Sequence, residues 1–477
     1  MTSSPSSTES RTVAIDNPPH NVEKQQQKSY EVNLEPHEHP QSSSLTLKWL
    51  SVFVISSSAL CVTCASSAAS FTEDGVSEEF HVSKEVTVLA ISLFVAGLGL
   101  GPLLAGPLSE VYGRNIIYRI SFLLLFAFSF GVAFAPNIVV YLIFRFITGF
   151  CGSTFLSVAG GSISDLFDND TVATPMAVYT ISPFIGPNVN WRWTYFTLII
   201  WTFVQIVGLF LIVPETYIPV LRKRKAIRLR KSTGDDQYFA PIEKEERNLG
   251  HAILVSCYKP FQLVFYDRMA LFLNTWTSLI LGILYLAFQA FPVIFETNHG
   301  FDVQQTGLSF LGIGIGMLGG LATQPYWNRV LARESEKNGG EIPPEARLYM
   351  GEYGAILVPL GMSLLHGLYN LPSVPWIVPI IASVVLGAGI YFVFTSVFSY
   401  LVTAYRPIAA SAMASNSAMR STFAAVFPLF AGAMYDGVGT VAATAILAGV
   451  MTLTVPLPFV YIRIGPRLRA KSRFAAA

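Results

Sequence analysis

Charge is what this chain has least of. Asp, Glu, Lys and Arg make up 13% of its 477 residues, against roughly 25% in soluble globular domains, so most of its surface must be solvated by lipid. The formal net charge is +1, which removes the basic excess expected of a nucleic-acid binder and confines any charge argument to local segments. Cysteine is equally sparse. Cys61, Cys64, Cys151 and Cys257 do not make the disulfide framework of a short secreted chain. The CxxC of Cys61 and Cys64 lies at helical spacing inside an apolar run, where small packing residues are a better reading than redox or zinc ligands. No nucleophile, base and orienting group converge, and no metal-ligand spacing occurs, so neither an enzyme nor a metal or organic cofactor is expected. Residues 1–47 have hardly any aliphatic content, the composition of a disordered tail.

What the chain has is apolar length. A spanning helix needs about 20 mostly apolar residues, and twelve segments qualify or nearly do: 48–70, 86–108, 116–135, 138–160, 172–187, 193–213, 268–294, 304–326, 349–368, 374–401, 408–435 and 440–462. The first reads as a signal anchor. Basic residues near helix ends stay cytoplasmic, which tests the count independently. With both termini inside, Arg114, Arg119, the run Arg222 to Lys231, Arg329 to Arg347, Arg406 and Arg463 to Arg473 all fall inside. Lys84 and Arg192 are the exceptions, while the first outer loop carries Glu73, Asp74, Glu78, Glu79 and Glu85. An odd number of spans would scramble this segregation. The expected organisation is therefore a cytoplasmic tail (1–47), a six-helix bundle (48–213), a central cytoplasmic loop (214–267), a second six-helix bundle (268–464) and a short cytoplasmic tail (465–477). Paired bundles with a site at their interface near the midplane are how alternating-access carriers are built.

Deep ionisable groups are costly in a bilayer and ask for a reason. Arg145 lies about eight residues into the fourth span and Arg420 about a dozen into the eleventh. Each is either a substrate or proton contact or a structural Arg bonded to neighbouring carbonyls. Tyr285, Gln289 and Asn416 are polar groups that lipid would leave unsatisfied, so they face a cavity or bond between helices. Trp276, Phe288, Phe291, Tyr391 and Phe394 are aromatics that could line such a cavity. No Asp or Glu is mid-membrane: Asp165, Glu215, Asp267, Glu296, Glu352 and Asp436 all fall near span ends. Two spans are rich in glycine, GLGLGPLLAGPLSE from Gly97 and GIGIGMLGG from Gly312. The second contains a GxGxxG at Gly314, Gly316 and Gly319, but without the βαβ context of a nucleotide site, so close helix approach is the reading.

Several stretches together resemble the fungal drug:proton antiporters of the major facilitator superfamily, the twelve-helix group of polyamine, multidrug and secondary-metabolite exporters, over roughly residues 48 to 465. They are GPLSEVYGR (Gly106 to Arg114), RFITGFCGS from Arg145, NWRWTYF (190–196), PETYIPVLRKRKAIRLRK from Pro214 and SNSAMRSTFAAVFPLF from Ser415. The resemblance implies an all-α membrane protein with the two-bundle major facilitator fold. It implies a conformational latch at Gly106, Glu110, Gly113 and Arg114, and a proton-transfer role for Arg145. Relatives carry an extended Gly-Pro repeat in the fifth span and then a dozen or more residues before WRW. Here SPFIGP ends at Pro187 three residues before Asn190, leaving Gly186 and Pro187 as the remnant of that antiporter motif and a fifth span of about 16 residues against the roughly 20 required. Many relatives also have Glu near Gln289. The expectation is proton-coupled efflux of a drug-like, polyamine or metabolite molecule, driven by the proton gradient, from the plasma membrane in preference to the vacuole. Arg145, Tyr285, Gln289, Asn416 and Arg420 would lie on the substrate and proton pathway, and a monomer suffices. A passive facilitator or importer, or an impaired non-transporting relative, are the alternatives.

Overall fold

Hydrophobic runs bounded by capping residues set the helices, and these make up nearly everything in the computed structural model. It describes residues 30–155, 158, 162, 166, 191–244, 249–292, 295, 300–301, 303–369, 375–405 and 408–475. Ser44 opens α1 (Leu45–Ser67), its hydroxyl accepting the Leu47 amide at 3.4 Å, as an N-cap should. Then come α2 (Lys84–Tyr112), α3 (Arg114–Ala133), α4 (Ile138–Gly152, capped by Asn137) and α5 (Trp191–Leu211). The polar centre of the chain is mostly helical, with α6 (Ile218–Thr233) and α7 (Leu249–Tyr266). The second half contains α8 (Arg268–Pro292), α9 (Leu311–Ala322), α10 (Gln324–Lys337), α11 (Tyr349–Tyr369), α12 (Ile377–Ala404), α13 (Ala409–Thr454) and α14 (Pro456–Lys471). Among the described residues, eight helices are long and apolar enough to cross a membrane. The expected fifth span, with Gly186 and Pro187, lies outside the described residues.

Two boundaries differ from expectation for local reasons. The eighth span, read as one segment, is divided, α9 giving way at Thr323 to the polar α10 with Pro325 in its first turn, where proline is tolerated. The eleventh and twelfth run as one assigned helix, broken only at Gly439, whose φ of 79° and ψ of 152° leave the helical region. A residue without Cβ adopts that backbone cheaply.

Glycine explains how the spans pack. On α2 a Cβ added at Gly97 would fall 2.6 Å from the Phe150 amide, and one at Gly149 of α4 would collide with the Phe94 carbonyl. In the second half the same seam joins α9 to α12: a Cβ at Gly316 would fall 2.8 Å from the Ala388 amide, and one at Gly387 would strike the Ile313 carbonyl. Each half is thus closed by a pair of helices in backbone contact, the geometry that small residues permit in lipid. Between the halves, α2 meets α13 where Gly99 faces Ser421, 2.7 Å from the Gly99 Cβ position. Gly319, part of the GxGxxG, has nothing within 4 Å.

The two basic residues on the acidic side are both neutralised there. Lys84 pairs with Asp74 at 2.9 Å and Arg192 with Glu79, both acids coming from the short helix Glu73–Phe80. Bonding from the Arg192 guanidinium and the Trp191 indole outweighs desolvation and holds the Glu79 carboxyl below the ordinary carboxylate range. At the other end, a carboxylate in each half ties the helix that starts third to the chain that follows the sixth. Glu215, after α5, accepts the Arg114 amide at the start of α3. Glu345, just before α11, pairs with Arg469 of α14 at 3.2 Å. The link recurs in each half with the acid on opposite members.

Residues 30–39 and 218–244 form a small unit of their own. Val32, Ala226 and Ala240 make its buried centre. The Val32 amide donates to the Phe239 carbonyl at 3.0 Å and the Phe239 amide to Tyr30 at 3.2 Å, while Lys225 of α6 pairs with Glu38 at 2.6 Å.

Candidate substrate and gating site

Arg145 is the first residue whose chemistry needs a site. A cation at the centre of a spanning helix costs about 2.5–3.5 kcal/mol by insertion scales, and Arg145 is only 1% exposed. Nε donates to the Ala90 carbonyl at 3.2 Å and Nη1 to the Ala65 carbonyl at 2.9 Å, tying α4 to α2 and α1. The guanidinium lies 4.4 Å from the centroid of the Phe94 ring and 5.7 Å from that of Tyr195, positions where the ring faces attract a cation. Nη2 is buried and has no partner among the described residues.

One residue along from Ala65, the Ser66 hydroxyl meets the Tyr285 hydroxyl at 2.6 Å. This bond joins α1 to α8, and so one half to the other. Arg145 Nη1 bonds the carbonyl of the residue just before Ser66, so its guanidinium and this inter-half bond meet neighbouring residues of α1. Arg420 comes from α13, and its guanidinium lies 4.8 Å from the Phe398 centroid and 5.4 Å from that of Phe394, both on α12. Arg145 and Tyr285 therefore meet adjacent residues of α1, while Arg420 faces the rings of α12.

Asn416 has a different environment. It is fully buried, and its amide donates to Asn274 Oδ1 at 2.9 Å and to the Thr277 hydroxyl at 2.8 Å on α8. Asn274 in turn donates to the Ser415 hydroxyl at 3.0 Å. Of its two sequence readings the interhelical bond is the one realised, although Asn416 Oδ1 lacks a partner among the described residues. Trp276 and Tyr391 are buried in the same core, with Tyr391 donating to Gln324 at 3.1 Å. The side chains of Gln289, Phe288 and Phe291 lie outside the described residues.

At the segment where the resemblance places a latch, the carboxylate with hydrogen-bond partners is Glu215. Gly113 joins α2 to α3 with φ 100°, a conformation that favours glycine, and a Cβ there would run into the Glu215 carboxylate. Glu215 Oε1 accepts the amides of Arg114 at 3.0 Å and of Thr216 and Tyr217 at 3.1 Å. Asn115 donates to the Val213 carbonyl, and the Arg114 guanidinium lies 5.3 Å from the Tyr217 ring centroid. Glu110 makes no described bond, and Gly106 faces open space within 4 Å. Sequence reasoning placed Glu215 only as an acid near a span end. Its signal was there, since PETY directly follows an apolar span. Asn274, Thr277 and Ser66 gave weaker signals, being small polar residues at positions any packing contact could occupy.

Comparison with known proteins shows the family. Residues 55–421 match the family model described as Major Facilitator Superfamily. The chain is 46% identical over 398 residues to the efflux pump atB of Aspergillus terreus, covering 80% of this chain and 83% of that protein. It is 40% identical over 435 residues to the probable drug/proton antiporter YHK8 of Saccharomyces cerevisiae, covering 88% and 84%. Among solved structures, the human organic anion transporter MFSD10 superposes with a TM-score of 0.62 at 16% identity, over 87% of this chain and 99% of that one. On the family match, on relatives well above 30% identity and on an all-α fold of paired bundles, this chain belongs to the major facilitator superfamily of multi-pass membrane transporters and is not an enzyme.

Proposed function

We propose that the chain exports an amphiphilic small organic molecule by alternating access, coupled to the proton gradient, with both termini cytoplasmic and the plasma membrane as its location. The observation that carries this reading is the Ser66–Tyr285 bond between the halves, one residue along α1 from the carbonyl that holds Arg145. A bond that closes one end of the interface must break when that end opens, and the groups around it are then offered to a ligand. The names of relatives at 46% and 40% identity, an efflux pump and a drug/proton antiporter, support the direction and the coupling. A pathway residue in this reading is any group exposed by that opening: Arg145, Tyr285, Arg420 and, by sequence position, Gln289. Asn416 instead holds α13 to α8 as a supporting bond. The latch works at the far end through Gly113, Arg114 and Glu215.

A passive facilitator is the second reading, favoured by the lack of any Asp or Glu in the interior of the apolar helices. Uptake into inside-out vesicles separates the two. Accumulation of substrate that rises with an acid interior and collapses on adding a protonophore supports the exporter. Equilibration indifferent to the protonophore selects the facilitator.

A further inference from the structure

A serine just past the last turn of α14 is tied to an acid at the start of α8. Ser472 is the C-cap of α14, its amide donating to the Arg469 carbonyl at 3.0 Å. Its hydroxyl donates to Asp267 Oδ2 and accepts the amides of Phe474 at 3.1 Å and Ala475 at 3.2 Å. Asp267 is buried, and its other oxygen accepts the amides of Met269 at 2.9 Å and Ala270 at 3.2 Å, capping α8. Phe474 and Ala475 pack against the apolar core that includes Leu273 and Tyr400. One hydroxyl thus sets the path of residues 472–475 across the start of the helix that carries Asn274 and Tyr285. These residues are not helical, and a short segment held by so few bonds opens locally at low cost. Around the hydroxyl the sequence reads RLRAKSRF from Arg467, with cations five, three and one residues before the serine and one residue after it. Arg467, Lys471 and Arg473 are exposed, while Arg469 pairs with Glu345.

We propose that Ser472 is a phosphorylation site for a serine kinase that reads basic residues, and that its phosphate releases residues 472–475 from Asp267. Kinases choose substrates by charge pattern, and an acidic substrate groove matches cations on the amino-terminal side of a serine. The kinase takes the segment in its open form, with the last turn of α14 frayed and Arg469 off Glu345. Serine Oγ attacks the γ-phosphorus of ATP. The Oγ–P bond forms as the bond from that phosphorus to the β,γ-bridging oxygen breaks, ADP leaves, and the hydroxyl proton passes to the catalytic carboxylate of the kinase. The product cannot dock again. Ser472 has lost the proton it donated to Asp267, and about 1.5–2 negative charges now stand at a helix C-terminus beside a buried carboxylate, both of which repel them. The inference rests on the reading above only in placing residues 465–477 on the cytoplasmic side, where kinases and ATP are.

The test treats the detergent-purified full-length protein with ATP and a kinase that requires arginine three and five residues before serine. Fragment mass spectrometry should find the phosphate on Ser472, and Arg467→Gln should slow its incorporation about tenfold. Hydrogen exchange at the Phe474 and Ala475 amides should quicken about tenfold or more on phosphorylation. Ser472→Asp should quicken it likewise, and Ser472→Asn, close in size but uncharged, much less. Asp267→Asn keeps an acceptor for the α8 amides and should cancel most of the difference between those two variants. The proposal is overturned if Ser472 stays unmodified, or if the phosphate leaves the two amides exchanging as before. Equal exchange in Ser472→Asp and Ser472→Asn overturns the repulsion from Asp267, whether or not Asp267→Asn gives a monodisperse protein. Failure of the cytoplasmic placement looks different: Ser472 is modified in detergent, but in sealed inside-out vesicles with kinase and ATP outside it is modified only after they are permeabilised. That result removes the site from any cytoplasmic kinase and overturns the proposal together with the topology.

Discussion

Replacing Glu215 with Ala should destabilise the protein by about 3 kcal/mol, and the figure follows from the three amides on one carboxylate oxygen. The bond from the Arg114 amide crosses between α3 and the chain after α5, and a hydrogen bond to a charged acceptor contributes about 1.5–3 kcal/mol. The bonds from Thr216 and Tyr217 are local and behave as a helix cap, contributing about 1 kcal/mol. Glu215→Gln keeps an acceptor oxygen but loses the charge. Charge-assisted bonds are roughly twice as strong as neutral ones, so its loss should be about half that of Ala. Thermal unfolding of the purified protein, followed by tryptophan fluorescence, then ranks wild type above Gln and Gln above Ala. Glu110→Gln, which removes no described bond, should unfold with wild type. If Glu215→Ala and Glu215→Gln unfold together, the ionic character of the latch is wrong. A drop in Glu110→Gln as large as that in Glu215→Ala would restore the motif acid as the latch.

Asn416→Ala and Asn274→Ala should each destabilise by about 1–3 kcal/mol, because each leaves a buried polar partner unpaired. The double variant should fall well short of their sum, and additive losses would show that the two amides act separately. Gly149→Val and Gly316→Val put side-chain carbons onto backbone carbonyls and should abolish monodisperse protein on gel filtration, whereas Gly319→Ala, facing open space, should behave as wild type. Glu79 has a folded-state pKa below its unfolded value, so its stabilisation is fully present above the ordinary carboxylate range and is lost as pH falls through the lowered value. Glu79→Gln should therefore lower the unfolding temperature at neutral pH, and the gap from wild type should close in strong acid. A gap that widens in acid would contradict the ion pair with Arg192.

The architecture was legible because it rests on bulk properties: apolar runs of spanning length and basic residues confined to one set of connections. Lys84 and Arg192, the two exceptions to that segregation, are explained by Asp74 and Glu79, partners the sequence offered in the same acidic segment. Arg145 and Arg420 were legible because a cation inside a greasy helix is conspicuous. Their partners were not, since Ala65, which holds Arg145, and the Ser66–Tyr285 bond beside it join residues 80 and 219 apart in sequence, which show no pattern of meeting. At the segment where the resemblance places a latch, Gly113 has the backbone that only glycine takes easily, and the carboxylate beside it, Glu215, is brought back by the packing of α5 on α3, which no local pattern around Glu110 encodes. Asn416 was visible as a buried polar group, but whether it bonds to a helix or faces a cavity depends on Asn274 and Thr277 lying opposite, which no local pattern encodes.

The glycine seams have a consequence for how such a protein can change its cargo. With α2 against α4 and α9 against α12 at backbone distance, each half resists internal deformation and travels as one piece. The surfaces between the pieces are held by side chains, Ser66 on Tyr285 and Ser421 over Gly99, which substitution can alter without disturbing either piece. New cargo preferences can therefore arise along the dividing surface while the moving parts keep their shape.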